Sequence, residues 1–288
     1  MPLITEPGFY PDITPDQYFA EPCPAPALTN SGIKTLLASC PAKFAHEHPA
    51  IGQTAEERAD TAARHMGRLV HRLALDKGDD YEISPFDEYR SKEAKEWKAE
   101  VENRGVIPVK RAVFDDAQAM AATIREGIRL ETRDEPYQTE VVIAWKRPVN
   151  GLPLWCRAMV DVWCPSLNLA LDVKTCADAG NVSIDRAFAG GYARQHAFYS
   201  EGLEALSPSK ARPRFGFLFS EKEAPWLARY AEPTEAFRYG ASLEIDKAVM
   251  IFAGCMRSGE WPGYRPYTAQ PPAWWLNQLT DLELEEAA

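Results

Sequence analysis

The chain lacks several things that would narrow its class at once. No apolar run approaches the roughly 18 residues that a membrane-spanning helix needs, so nothing in the 288 residues predicts a membrane protein. The N-terminus, Met-Pro-Leu-Ile-Thr-Glu-Pro, has neither the basic nor the apolar region of a signal peptide, which makes a cytoplasmic protein the expectation. Six cysteines occur, but no two are spaced Cys-x-x-Cys, which disfavours a structural zinc site or an iron–sulfur cluster and leaves free thiols as the simplest state. No glycine-rich phosphate loop follows any strand-like run, so a nucleotide-binding metabolic enzyme has no support. A net charge of −10 argues against wholesale electrostatic attraction to nucleic acid, although bound cations would reverse the field locally. There is no internal repeat and no long linker.

What is present is a change of pattern along the chain. Residues 1–30 are rich in Pro and aromatics and predict an extended arm. A helix is expected from Ser31, as its cap, through Ser39. Residues 55–77 carry Met66, Leu69, Val70 and Leu73 on one stripe of a helix, and charged helical segments follow near 91–104 and 111–130. Strands then take over: Glu140 to Lys146, a hairpin signal at Asn150-Gly151, Leu154 to Trp163, and Leu169 to Lys174. A helix over 183–206, strands at 215–219 and 226–231, and a helix over 234–257 complete the pattern. The expected layout is an arm (1–30), a single domain (31–280) made of a helical part (31–135) and a part with sheet and helices (136–280), and an acidic tail (281–288). Strands flanked by helices on both sides imply an α/β fold.

Aspartate is disfavoured inside strands, yet Asp161 and Asp172 both stand within β-like runs. Asp172 and Lys174, two residues apart, share one face, while Leu171 and Val173 point to the other. One such Asp is most simply a capped or paired strand end, and Lys174 could itself be the partner of Asp172. Two of them with a lysine on the same face favour a site, because unpaired buried charges are rarely kept. Oxygen donors of this kind suit Mg²⁺ or Mn²⁺ together with a substrate phosphate, and the lysine could orient or deprotonate an attacking water.

These residues, Asp161 followed by Asp172-Val173-Lys174, resemble the second and third motifs of the PD-(D/E)XK nuclease superfamily. Gly67-Arg-Leu-Val-His71 resembles the helical histidine motif of its RecB-like branch, and Gln195-x-x-x-Tyr199 the motif after the catalytic lysine. Glu140 resembles an upstream glutamate of this group. Pro7 to Tyr18, Leu28 to Lys34, Ser39 to Phe44 and Gly259-Glu-Trp-Pro-Gly-Tyr264 look like the opening and close of RecE-type phage and prophage exonuclease domains. The resemblance thus covers nearly the whole chain, with Asp172 standing where Glu is more common.

The resemblance implies a restriction-endonuclease-like α/β core, a central mixed sheet flanked by helices, with helical additions at the N-terminus. It implies a Mg²⁺-dependent double-strand DNA exonuclease, Mn²⁺ substituting, that resects 5′ ends and leaves 3′ single strands for a RecT-type annealing partner during phage-type recombination. In that scheme Asp161, Asp172 and the Val173 carbonyl hold metal, with His71 and, less directly, Glu140 as further ligands. Lys174 acts on the water, while Gln195 and Tyr199 line the site. Arg64, Arg68, Arg72 and Arg194, with Arg157 and Arg186, are candidate DNA contacts, and a homo-oligomer, as a ring around DNA, is expected. The alternatives are a non-catalytic DNA-end-binding recombination scaffold and a RecB-like or CRISPR-associated nuclease of other polarity; the iron–sulfur form of the latter needs clustered cysteines, and only Cys255 follows residue 176.

Overall fold

In the computed structural model, which describes residues 3–52, 62–207, 212–276 and 278, the chain opens with a short strand β1 (Gly8–Tyr10) and three short helices, α1 (Pro15–Phe19), α2 (Asn30–Ala38) and α3 (Pro41–Glu47). Helix α4 (Ala62–Leu75), strand β2 (Tyr81–Ile83), α5 (Lys92–Asn103), β3 (Ile107–Val109) and α6 (Arg111–Thr132) follow. Then come the long strands β4 (Gln138–Val149) and β5 (Leu152–Cys164), β6 (Leu169–Cys176), helices α7 (Asn181–Ala187) and α8 (Ala193–Leu206), β7 (Arg214–Glu221), β8 (Ala228–Ala231) and α9 (Glu235–Ser258).

Local chemistry explains the boundaries. Thr29, not Ser31, caps α2: its Oγ1 accepts from the Gly32 N–H at 3.1 Å, and Ser31 lies inside the first turn. Asn150 and Gly151 both adopt positive φ (48° and 82°), the conformation a two-residue hairpin demands, and they set the register of β4 against β5. Asn168 (φ 46°) makes the equivalent reversal into β6. The helix expected over 183–206 is interrupted. A π-type turn over Phe188–Tyr192, with Gly191 at φ 132°, divides it into α7 and α8.

Six strands form one mixed sheet in the order β1-β4-β5-β6-β7-β8. Only the β6–β7 pair is parallel, and the polypeptide between them crosses over through α7 and α8. On one face Trp145, Ala158, Phe215, Phe217 and Phe219 pack with Phe198 of α8 and Phe252 of α9. On the other, Leu171, Val173 and Leu218 pack with Leu69 and Val70 of α4 and Met120, Ile124 and Ile128 of α6. A separate pair, β2 with β3, is parallel and too short to have shown an alternating pattern.

The N-terminal segment does not behave as an arm. Gly8–Tyr10 adds an antiparallel edge strand to β4, and Ile4, Ile13, Tyr18 and Ala27 bury Val142, Ala144 and Trp155. A buried charge cluster fixes it. Arg157 of β5 pairs through two nitrogens with both oxygens of Glu21 at 3.1 Å, lies over the Tyr18 ring, and leaves Glu21 within 3.1 Å of His48 Nε2. Arg157 is therefore no DNA contact: it is 4% exposed and its charge is consumed inside the fold. The start of the helix expected over 55–77 and the acidic tail 281–288 lie outside the described residues. Among the described residues no helix is long and apolar enough to cross a membrane.

Candidate active site

Strands β5 and β6 pair over only three positions, ending at Val162–Leu171. One step further the register sets Asp161 opposite Asp172, and there the ladder stops. Asp161 fills the gap: its Oδ2 accepts the Val173 N–H at 2.7 Å, a bond that a neighbouring strand carbonyl would otherwise make. The alternation of β5 also slips here, since Val160 packs with one face of the sheet and Val162 with the other. The two aspartates thus sit at a fork between strands, 8% and 2% exposed respectively.

Glu140 continues the row. The register of β4 and β5, Thr139–Val162 and Val141–Val160, puts it opposite Asp161, and its φ of 50° is a strained value for a non-glycine residue. Burial and then the Asp161 charge raise the Glu140 pKa, with His71 and Lys77 opposing. Lys77 Nζ donates to the Thr139 carbonyl at 2.8 Å and to Pro11 at 3.2 Å, fixing the peptide beside the strained residue.

Asp172 faces α8. Gln195 Nε2 donates to its Oδ2 at 2.5 Å, and the Lys174 ammonium abuts Oδ1, which receives no well-aligned hydrogen bond. Burial raises the Asp172 pKa to about 6, with Lys174 opposing and Asp161 reinforcing. Burial pulls the Lys174 pKa down, but the charges of Asp172 and Asp161 more than reverse it, so the net shift is upward. Tyr199 stands one turn beyond Gln195, its hydroxyl held in the phenol form by burial and the nearby acidic groups.

His71 reaches the fork from the opposite layer, with Nε2 3.9 Å from Asp161 Oδ2 and 28% of its side chain exposed. Gly67, one turn earlier, leaves the lane open: a Cβ there would meet only the Thr175 hydroxyl, at 4.0 Å. Glu140, Asp161, Asp172, Lys174, His71 and Gln195 are thus brought together, with Tyr199 behind Gln195.

The arginines are a different matter. Arg68 pairs with Asp79 at 3.2 Å, Arg72 with Asp76 at 2.9 Å and Asp80 at 3.8 Å, and Arg194 with Glu244 at 2.9 Å. Arg186 is exposed on α7, and the side chain of Arg64 lies outside the described residues. From the sequence Tyr192 reads only as a partly buried aromatic of an amphipathic helix, yet its ring lies 5.4 Å from Lys174 Nζ; the adjacent Gly190-Gly191 pair was the available signal for a special turn at that point.

The match to a family model decides the class: residues 29–266 match the PDDEXK-like domain of unknown function (DUF3799). The chain belongs to that family. Its mixed α/β sheet is the PD-(D/E)XK core. A search of curated proteins gave no match. Among solved structures, a candidate exonuclease from Eubacterium rectale aligns over 89% of this chain and 92% of its own, at 14% identity and TM-score 0.49. The protein SSO0001 aligns over 77% and 82%, at 12% identity and TM-score 0.28.

As a DUF3799 member the chain is expected to bind a divalent metal, and its donor set fits one. The fork offers carboxylate oxygens, an imidazole and a buried Asp172 oxygen with only an ammonium against it. Among the described residues no three His, Cys, Asp or Glu side chains form a finished cage. A partial set completed by substrate and water is the usual Mg²⁺ arrangement.

Proposed function

We propose that the protein is a Mg²⁺-dependent deoxyribonuclease, with Mn²⁺ able to substitute, that digests double-stranded DNA from its ends. The observation that carries this is the fork itself: two in-register aspartates at the point where β5 and β6 part, with Lys174 against one and His71 beside the other. A metabolic or purely structural role gives no reason to bury so much like charge in one place.

Asp161 and Asp172 would hold the metal, with the Val173 carbonyl, His71 and Glu140 as further donors. When bound, a divalent ion supplies Lewis-acid polarisation of the phosphate and makes a water more acidic. Lys174, kept as an ammonium by its two carboxylate neighbours, orients that water and offsets charge on the phosphate rather than removing a proton. Gln195 holds Asp172 in place, and Tyr199 supports Gln195. Arg68, Arg72 and Arg194 would exchange their aspartate and glutamate partners for DNA phosphates, and Arg64 lies on the same helix as the first two.

The direction of digestion, 5′ to 3′, and the supply of 3′ single strands to a RecT-type annealing protein in recombination are supported by the RecE-like motifs at both ends of the sequence, as is assembly into a ring. A cytoplasmic setting follows from the same reading. The test is digestion of linear duplex labelled at either end, with 5′-phosphate or 5′-hydroxyl termini, in Mg²⁺. Loss of 5′-end label ahead of 3′-end label, abolished in Asp172→Ala and Lys174→Ala, is the expected result. Equal digestion by both variants, or no preference for duplex ends over circular single strands, would overturn it.

A further inference from the structure

Lys174 is enclosed by more than its carboxylate neighbour. Its Nζ lies 5.4 Å from the centre of the Tyr192 ring and 5.9 Å from that of Phe217. The two rings stack on each other, with centroids 5.3 Å apart and planes inclined by 27°. Phe217 is paired in register with Asp172 across the parallel β6–β7 ladder, so its position is fixed by the sheet. Tyr192 is fixed differently. It ends the π-type turn between α7 and α8, and the positive φ of Gly191 turns the chain there; a regular α-helix from 181 to 206 would carry residue 192 elsewhere around its axis.

We infer that Tyr192 is a positioning residue: its ring, not its hydroxyl, holds the Lys174 ammonium toward the Asp161–Asp172 fork. An ammonium prefers the face of an aromatic ring, and rings on one side with Asp172 on the other leave the long lysine few rotamers. The N–H bonds not used by Asp172 or facing the rings then point into the fork, where the proposed reaction needs them. The Gly190-Gly191 turn thereby acquires a function, since it is what brings an aromatic ring to this place.

For its kinetic arm the inference rests on the nuclease reading, so the experiment has a second arm that does not. Protein carrying ¹³C-labelled lysine, free of metal, is examined by NMR, with the Lys174 ε-methylene signal assigned by its loss in Lys174→Arg. In the native protein and in Tyr192→Phe that signal is shifted upfield by both rings; in Tyr192→Met, an unbranched apolar side chain without a ring, and in Tyr192→Leu, the shift falls to the part that Phe217 supplies. In parallel, Tyr192→Phe digests duplex DNA at the native kcat, while the Met and Leu variants lose about ten-fold in kcat with KM unchanged. An unshifted Lys174 signal in the native protein, or the same signal in Tyr192→Met and Tyr192→Leu, overturns the inference whether or not the protein cleaves DNA. So does a Tyr192→Phe variant as slow as the ring-less ones, since the hydroxyl would then be the active group. A native protein that cleaves nothing, with the ring shift intact, would sink the nuclease reading and leave the placement of Lys174 standing.

Discussion

Asp161 accepts the backbone N–H of Val173, so a carboxylate that we propose holds metal is also a substitute for a missing rung of the β5–β6 ladder.

The first prediction follows from that double use. Asp161→Ala should lose activity and also strand a buried N–H, at a cost of about 1–3 kcal/mol. Asp161→Asn retains an acceptor oxygen and should keep most of the stability while losing at least about a hundred-fold in rate. Denaturant midpoints beside initial rates separate the two effects. An Asn variant as destabilised as the Ala variant would show that the Val173 bond does not carry the stability.

Glu140 faces Asp161 across β4 and β5, and its raised pKa means that the folded protein holds the carboxyl proton more tightly than the unfolded chain does. Such a group costs stability as pH rises past the ordinary glutamate value and through the raised one. Glu140→Gln should therefore stabilise the protein near pH 7, by up to about 1 kcal/mol for relief of one cross-strand like-charge pair, with little change at pH 4. Activity should fall in the same variant. Urea unfolding at the two pH values is the measurement, and equal effects at both would remove the electrostatic cause.

His196 gives the opposite slope. It is buried under β7 with Nε2 2.8 Å from the Phe215 carbonyl, and burial, then Arg238, lowers its pKa from 6.5 to about 4. The unfolded chain binds the proton first, so stability is full above pH 6.5 and declines as pH falls toward 4, by up to about 3 kcal/mol. His196→Gln, which keeps a donor for Phe215, should flatten that decline. A variant whose stability falls as steeply as the native protein's would assign the acid sensitivity to other groups.

Glu21 and Arg157 form a buried pair, and removing one partner leaves a naked charge. Glu21→Ala should cost about 3–5 kcal/mol, and the double change Glu21→Met with Arg157→Met should recover most of it. Equilibrium unfolding checks both; a double variant no better than the single one would mean that the pair contributes by more than neutralising itself.

Much of this was readable from residue order. Asn150-Gly151 fixed the hairpin because only residues tolerant of positive φ fit there, and the costly placement of Asp161 and Asp172 in strands marked the fork. Other features had little or no local signal. Arg157 has the composition of a DNA contact, and only its long-range partner, 136 residues away, makes it internal. Gly8–Tyr10 is too short and too close to prolines to show a strand period, and its pairing is decided by β4. The break at Gly191 had one signal, the Gly190-Gly191 pair, but apolar residues continue at helical spacing on both sides and mask it. The site residues were legible as types, while their facing directions depended on a slip in β5 that no spacing rule contains.

The family match begins at residue 29, yet Ile4, Ile13, Tyr18 and Ala27 cover Val142, Ala144 and Trp155, and Glu21 neutralises Arg157. The stretch that the family model matches is therefore shorter than the stretch that folds. A fragment trimmed to the matched part would present a bare apolar sheet face, an open edge on β4 and an arginine without its counter-charge, and would fail as a folded protein before its chemistry could be assayed.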